Sequence, residues 1–77
     1  MKNFIVITGG AGFIGSNLID YFLKKTNFKI ISIDNYLSGS IKNHNLDKRV
    51  FYIKSDTRFI SKVLKNYKKK IQAVFHF

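Results

Sequence analysis

Four glycines crowded between Thr8 and Ser16, at positions 9, 10, 12 and 15, constrain this chain more than any other stretch. They follow a continuous apolar run, Phe4-Ile-Val-Ile-Thr8. They precede a segment in which Ile14, Leu18, Ile19, Phe22 and Leu23 recur at helical spacing. Gly10, Gly12 and Gly15 fit a G-x-G-x-x-G spacing, and Gly9, Gly12 and Gly15 fit G-x-x-G-x-x-G. A strand that turns at once into a helix uses such glycines for separate jobs. The first permits the tight turn, the middle one lets backbone N–H groups approach a pyrophosphate, and the last allows close helix packing. The helix aims its unpaired N–H groups and positive dipole end at the same phosphates. Asp34, 19 residues beyond Gly15, strengthens the reading, because a dinucleotide-binding unit places an acid there.

The rest of the chain continues the alternation. Strand one is Phe4 to Thr8, apolar enough to be buried on both faces. Helix one runs from about Phe13 to Lys25, with Lys24 and Lys25 suiting the negative end of its dipole. Strand two is Phe28 to Asp34. Residues 35–49 show neither period and read as a long loop with room for one short helical turn, and loops of this length in small domains are usually functional. Strand three is Val50 to Lys54. Ser55-Asp56-Thr57 offers cap chemistry to a second helix, about Arg58 to Tyr67, whose apolar face is Phe59, Ile60, Val63, Leu64 and Tyr67. Ile71 to Phe77 reads as strand four.

This order, β-α-β-loop-β-α-β, predicts an α/β fold with a parallel sheet in the spatial order 3-2-1-4. It is a partial Rossmann fold whose second half is missing, so residues 1–77 form the N-terminal part of one dinucleotide-binding domain. Strand four would stand as an open apolar edge, and the chain is read as a truncation.

The formal charge of +10 needs an explanation. Base readout favours arginine, yet only Arg49 and Arg58 stand among fourteen basic residues, and the lysines are spread along the chain apart from Lys68-Lys69-Lys70. A solvated lysine-rich surface explains this better than a nucleic-acid partner. The absence of cysteine excludes disulfides and thiolate metal sites. The apolar run before Gly9 is too short for a signal peptide or a membrane span, so no membrane partner and a cytoplasmic location are expected.

Among individual residues, Asp34 would accept hydrogen bonds from the adenosine ribose, and an acid there repels a 2′-phosphate, favouring NAD over NADP. Asp56 and Thr57 follow strand three at the carboxyl edge, where ligands of open α/β sheets bind, and they can also cap the second helix. His76 sits in a strand with no partner acid or second histidine nearby and reads as structural. Tyr21 and Lys25 match a Tyr-x-x-x-Lys pair but lie on the helix behind the glycine turn, whose body runs away from the nicotinamide end. That match is a coincidence of spacing.

Together these residues resemble the extended short-chain dehydrogenase/reductase family, in its NAD-dependent nucleotide-sugar epimerase/dehydratase branch. Thr8-Gly-Gly-Ala-Gly-Phe-Ile-Gly-Ser16 is similar to that branch's T-G-G-x-G-F-I-G-S opening. Asp34-Asn35-Tyr36-x-Ser38-Gly39-x-x-x-Asn43 is similar to the D-N-x-x-(S/T)-G-x-x-x-N loop of UDP-sugar 4-epimerases. Ser55-Asp56-Thr57-Arg58 resembles G-D-(I/L)-R, and Val74-Phe-His-Phe77 resembles V-(I/F)-H-(L/F). Ser55, Phe59 and Gln72 depart from the family's usual Gly, Asp and Asp. The resemblance implies NAD as cofactor, with backbone contacts from Phe13 and Ile14 to the pyrophosphate beside Gly9, Gly12 and Gly15. It implies Asp34, Asn35, Tyr36, Leu37, Ser38 and Gly39 around the adenosine, Asp56 and Thr57 at the adenine, and Phe77 beside the cofactor. It further implies a full-length homodimer acting on a nucleotide-sugar, whose catalytic residues lie downstream. This chain would then hold a cofactor and perform no chemistry alone. A sugar-nucleotide dehydratase or decarboxylase, and a stand-alone basic binding module, are the alternatives.

Overall fold

Four parallel strands, β1 (Phe4–Thr8), β2 (Lys29–Asp34), β3 (Val50–Lys54) and β4 (Ile71–His76), lie in the spatial order β3-β2-β1-β4. This is the predicted topology. The structure is a computed structural model that describes residues 3–37 and 39–76, the side chains of Thr57 and Val63 excepted.

β1 is central and every one of its residues is buried. Alternation divides its side chains between two cores. Phe4 and Val6 join Ile31, Ile33 and Leu64 on one face, while Ile5 and Ile7 join Ile30 and Ile19 on the other. A strand covered on both faces reads as an unbroken apolar run, which is why alternation was invisible in Phe4-Ile-Val-Ile.

α1 (Phe13–Lys25) has the predicted bounds. Gly15 and Ile19 form the centre of its buried face, with Leu18, Phe22 and Leu23 packed beside them. Ile14 departs from the expected stripe and is 63% exposed. The glycine turn closes over Gly15, and Ile14, about 100° further back around the helix, has no wall to meet. The helix ends where Thr26 donates both its N–H and its hydroxyl to Phe22 O, at 2.9 and 2.6 Å. Phe28, expected in the second strand, stays outside it because its N–H donates to Thr26 Oγ1, so that pairing begins with Lys29 N–H to Asn3 O.

The second helix is shorter than predicted. In place of one helix from Arg58 to Tyr67, a 3-10 turn (Thr57–Phe59) leads into a single α turn, α2 (Ile60–Val63), and a second 3-10 stretch (Lys65–Lys70). Leu64 and the half-buried Ile60 and Tyr67 pack on the sheet, whereas Phe59 faces solvent. Lys62, Lys65, Lys68 and Lys69 would line up at three- and four-residue spacings on a continued α-helix, and like charges so placed oppose it. The cap chemistry is present: Asp56 Oδ1 accepts the Arg58 N–H at 2.9 Å and Asp56 O accepts that of Phe59 at 3.0 Å. Among the described residues no helix is long and apolar enough to cross a membrane.

Candidate functional site

The carboxyl ends of β1 and β2 meet around Ala11. Gly9 takes φ 74°, a conformation that glycine adopts without penalty, and its N–H donates to Ile33 O at 2.7 Å. Gly12 N–H then returns to Gly9 O at 3.1 Å, closing the turn. Gly12 is the N-cap of α1 and makes no side-chain cap bond. The first N–H groups of a helix have no intrahelical acceptor. Among the described residues none accepts from the Phe13 or Ile14 N–H, and both residues are exposed, whereas Gly15 is buried against the turn.

Each glycine meets a different constraint. A Cβ on Gly15 would overlap Gly9 O and come within 2.8 Å of Gly10 Cα, so the close packing is against the turn itself. A Cβ on Gly10 would overlap Ser32 Oγ and come within 3.1 Å of Ile19 Cδ1. The close approach of turn to sheet therefore belongs to Gly10, the first glycine of the G-x-G-x-x-G spacing, and not to Gly15. A Cβ on Gly12 would meet only Gly9 O at 3.4 Å, which leaves its outer side open for a ligand.

Asp34 is buried at the end of β2, and each of its oxygens accepts one backbone N–H: Oδ2 from Ala11 at 3.0 Å and Oδ1 from Tyr36 at 2.7 Å. A carboxylate oxygen accepts more than one donor, so both retain capacity for hydroxyls. Ala11 O, in turn, accepts from Asn43 Nδ2 at 2.7 Å and Ser40 N at 3.0 Å. Thus Ala11 links the glycine turn, Asp34 and the 35–49 loop. Gly39 is pressed into this junction, since a Cβ there would lie 2.7 Å from Asp34 Oδ2 and 2.9 Å from Ala11 Cβ.

Side-chain hydrogen bonds hold the described residues of the loop. Its predicted helical turn is a 3-10 turn, Ile41–Asn43, capped by Ser40 Oγ, which accepts from Lys42 N. Tyr36 has φ 63°, which costs a non-glycine residue about 1–2 kcal/mol. Its N–H is held by Asp34, and its hydroxyl shares a 2.6 Å hydrogen bond with His44 Nε2. The His44 ring stacks on Tyr52 with centroids 3.6 Å apart and planes 8° apart. Tyr52 Oη accepts from Asn45 N, whose Nδ2 donates to Asp20 on α1. Burial raises the pKa of both phenols, with Asp34 adding to the effect at Tyr36 and Asp20 at Tyr52, so both stay protonated at neutral pH. Further along, Arg49 donates to Leu23 O and Thr26 O, at 2.6 and 2.7 Å, and so caps the carboxyl end of α1.

The sequence-predicted positions fall into four groups. Gly9, Gly12, Gly15, Asp34, Tyr36 and Gly39 are joined by the contacts above, with the backbones of Phe13 and Ile14 at their rim. Asn35, whose Oδ1 accepts from Leu37 N, and Leu37 itself lie on the exposed outer side of the loop. Asp56 stands next to this junction because Ser55 N–H donates to Asp34 O at 3.0 Å, but its carboxylate is already engaged by Arg58. That engagement, the Arg58 N–H first and the guanidinium second, holds the Asp56 carboxyl below its ordinary value. Ser38 and Phe77 lie outside the described residues, as does the side chain of Thr57. His76 Nδ1 shares a 2.7 Å hydrogen bond with the buried Thr8 hydroxyl. Tyr21 is exposed on α1 and contacts the Phe22 ring, away from the turn.

Residues 5–77 match the family model described as the NAD dependent epimerase/dehydratase family. UDP-glucuronic acid decarboxylase 6 of Arabidopsis thaliana is 49% identical over 39 residues, covering 51% of this chain and 11% of that protein. Among solved structures, the UDP-N-acetylglucosamine 4-epimerase of Methanobrevibacter ruminantium, in complex with UDP-N-acetylmuramic acid, superposes with a TM-score of 0.76 at 35% identity. The match covers all of this chain and 24% of that one. The dTDP-glucose 4,6-dehydratase of Bacillus anthracis, in complex with NAD, superposes with a TM-score of 0.83 at 30% identity, covering 96% of this chain and 26% of that one.

Proposed function

The chain belongs to the NAD dependent epimerase/dehydratase family, and on that premise we propose that it is the NAD-binding N-terminal segment of a nucleotide-sugar 4-epimerase. One observation carries the reading: Ala11 is bonded at once to Asp34, Ser40 and Asn43, so the glycine turn, the β2 acid and the following loop form one preorganised pocket wall. Its residues suit the cofactor. Gly12 leaves the phosphate side open, the N–H groups of Phe13 and Ile14 are available to an anion, and Asp34 can accept from the ribose hydroxyls. Asn35, Tyr36, Leu37, Ser38 and Gly39 would border the adenosine, with Asp56 and Thr57 towards the adenine and Phe77 beside the cofactor. Bound there, NAD would supply reversible hydride transfer with the sugar. The residues of this chain supply binding and orientation, and the catalytic groups, the nucleotide-sugar site and the homodimer contacts belong to the longer enzyme.

The epimerase assignment within the family rests on the loop from Asp34 to Asn43, whose closing asparagine reaches back to Ala11. A decarboxylase is the second reading, favoured by the 49% identity to the plant enzyme.

Calorimetric titration of the chain tests the cofactor role. NAD and ADP-ribose should bind with similar affinity and nicotinamide mononucleotide should not bind, because every contact named lies on the adenosine-diphosphate half. Salt-sensitive binding of DNA or RNA with no NAD affinity would instead make this a basic nucleic-acid module.

A further inference from the structure

Tyr36 stands two residues beyond Asp34 at φ 63°, a left-handed conformation that a non-glycine residue adopts only at a cost. It is held at both ends. Its N–H donates to Asp34 Oδ1 at 2.7 Å, and its phenol shares a 2.6 Å hydrogen bond with His44 Nε2. A relaxation to negative φ rotates the residue about its N–Cα bond, so the N–H and the side chain cannot both keep their places. The anchored phenol therefore helps fix the direction of the N–H that holds Oδ1.

His44 is itself fixed by the scaffold. Its ring lies on that of Tyr52 in β3, with centroids 3.6 Å and planes 8° apart. Tyr52 Oη accepts from Asn45 N at 2.6 Å, and Asn45 Nδ2 donates to Asp20 on α1 at 2.8 Å. The His44 N–H donates to Ile41 O at 3.0 Å, at the end of the 3-10 turn. His44 thus stands between two regular elements, β3 and α1, and the one described non-glycine residue at positive φ, which in turn orients Asp34.

We infer that His44 is a positioning residue for the adenosine ribose. It acts through Tyr36, whose phenol it holds, and so keeps the Asp34 carboxylate aimed at the ribose hydroxyls. The inference rests on the cofactor reading above and deepens it.

Calorimetric titrations with ADP and 2′-deoxy-ADP, beside NAD, test this on the wild-type chain, His44→Phe and His44→Gln. Phenylalanine keeps a ring to stack on Tyr52 and loses the bond to Tyr36, whereas the glutamine amide can give or take that bond. The quantity read is the ratio of the two ADP affinities, because any loss of folded protein weakens both ligands alike. Wild type should prefer ADP by about tenfold, the worth of one hydrogen bond to a charged group. In His44→Phe, ADP should weaken about fivefold and 2′-deoxy-ADP by less than about twofold, while His44→Gln should keep a ratio within about twofold of wild type. A preference that survives His44→Phe undiminished, or that His44→Gln loses to the same extent, overturns the inference and leaves the cofactor reading standing. Equal binding of ADP and 2′-deoxy-ADP by a wild-type chain that binds NAD does the same. Binding of neither NAD nor ADP to the wild type removes the cofactor reading and the inference with it.

Discussion

Replacing Gly12 with alanine separates what the ligand requires of glycine from what the fold requires. Gly12 has φ −83° and ψ 175°, extended backbone that any residue adopts, and an added Cβ makes one ordinary contact, 3.4 Å from Gly9 O. Two small effects oppose each other in the free chain. Alanine narrows the unfolded ensemble and gains about 0.4–1 kcal/mol. It is also a poorer N-cap than glycine, by roughly 1 kcal/mol. Stability should therefore stay within about 1 kcal/mol of wild type. Gly15→Ala is the contrast. Its Cβ overlaps Gly9 O and crowds Gly10 Cα at 2.8 Å and Gly9 C at 2.9 Å, all of them backbone. The helical gain of about 1 kcal/mol is outweighed by an overpacking cost of about 1–3 kcal/mol or more. Under the proposed cofactor role both variants should lose NAD, Gly12→Ala by about a hundredfold, or about 2.7 kcal/mol, because its methyl would stand where that role has the pyrophosphate approach. Urea melts beside calorimetric titrations read the two quantities separately. Undiminished NAD binding by Gly12→Ala would refute the phosphate-approach role, and a melt as low as that of Gly15→Ala would show that the fold itself needs this glycine.

Four further outcomes follow from the packing and the charges. Gly10→Ala should cost about 1–3 kcal/mol by overpacking against Ser32, and Ser32→Gly in the same chain should recover most of it. Additive losses in a double-mutant cycle of urea melts would rule out the contact. Among the described residues the buried Ser32 Oγ finds no hydrogen-bond partner, so Ser32→Ala alone should raise the stability read from urea melts by about 1 kcal/mol. Arg49→Ala removes charged donors from Leu23 O and Thr26 O and should cost about 1.5–3 kcal/mol, with the loss appearing as faster amide exchange at the end of α1. Asp47 and Asp56 have carboxyls held below the ordinary 3.8, chiefly by the N–H groups of Arg49 and Arg58. A depressed folded-state value stabilises above pH 3.8, and that contribution is lost as pH falls through the folded values. Asp47→Asn/Asp56→Asn should flatten the urea midpoint below pH 3.8 and leave the rest of its pH profile unchanged.

Much of the frame was legible because its causes are local. The bounds of β1, α1 and β3 and the sheet order follow from apolar periodicity, from glycines that only a strand–turn–helix needs, and from the right-handed crossover rule. The second helix was not legible to the same degree. Its apolar spacing was sound, but spacing says nothing of how little sheet it would cover or of the repulsion along its lysines. Ile14 was misplaced in the stripe for a related reason: periodicity gives a face but not the neighbour that must cover it. Ser32 carried an unread signal, a small polar residue on the α1 side of an isoleucine-rich strand, marking the close approach of Gly10.

By itself, then, the sequence determined the kind of fold and named the two poles of the proposed cofactor site, the glycine turn and Asp34, since each rests on residue chemistry at short range. Only the tertiary structure decided how those poles are joined. Ala11 is an unremarkable residue in the sequence, yet its N–H and carbonyl tie Asp34, Ser40 and Asn43 into one wall. Tyr36, His44 and Tyr52 are three separate aromatics until the chain folds the loop back onto β3. Arg49 likewise becomes a helix cap only through contacts 23 and 26 residues distant in sequence. Hydrogen bonds of this range depend on where backbone groups are left unpaired in space, and no local pattern encodes that.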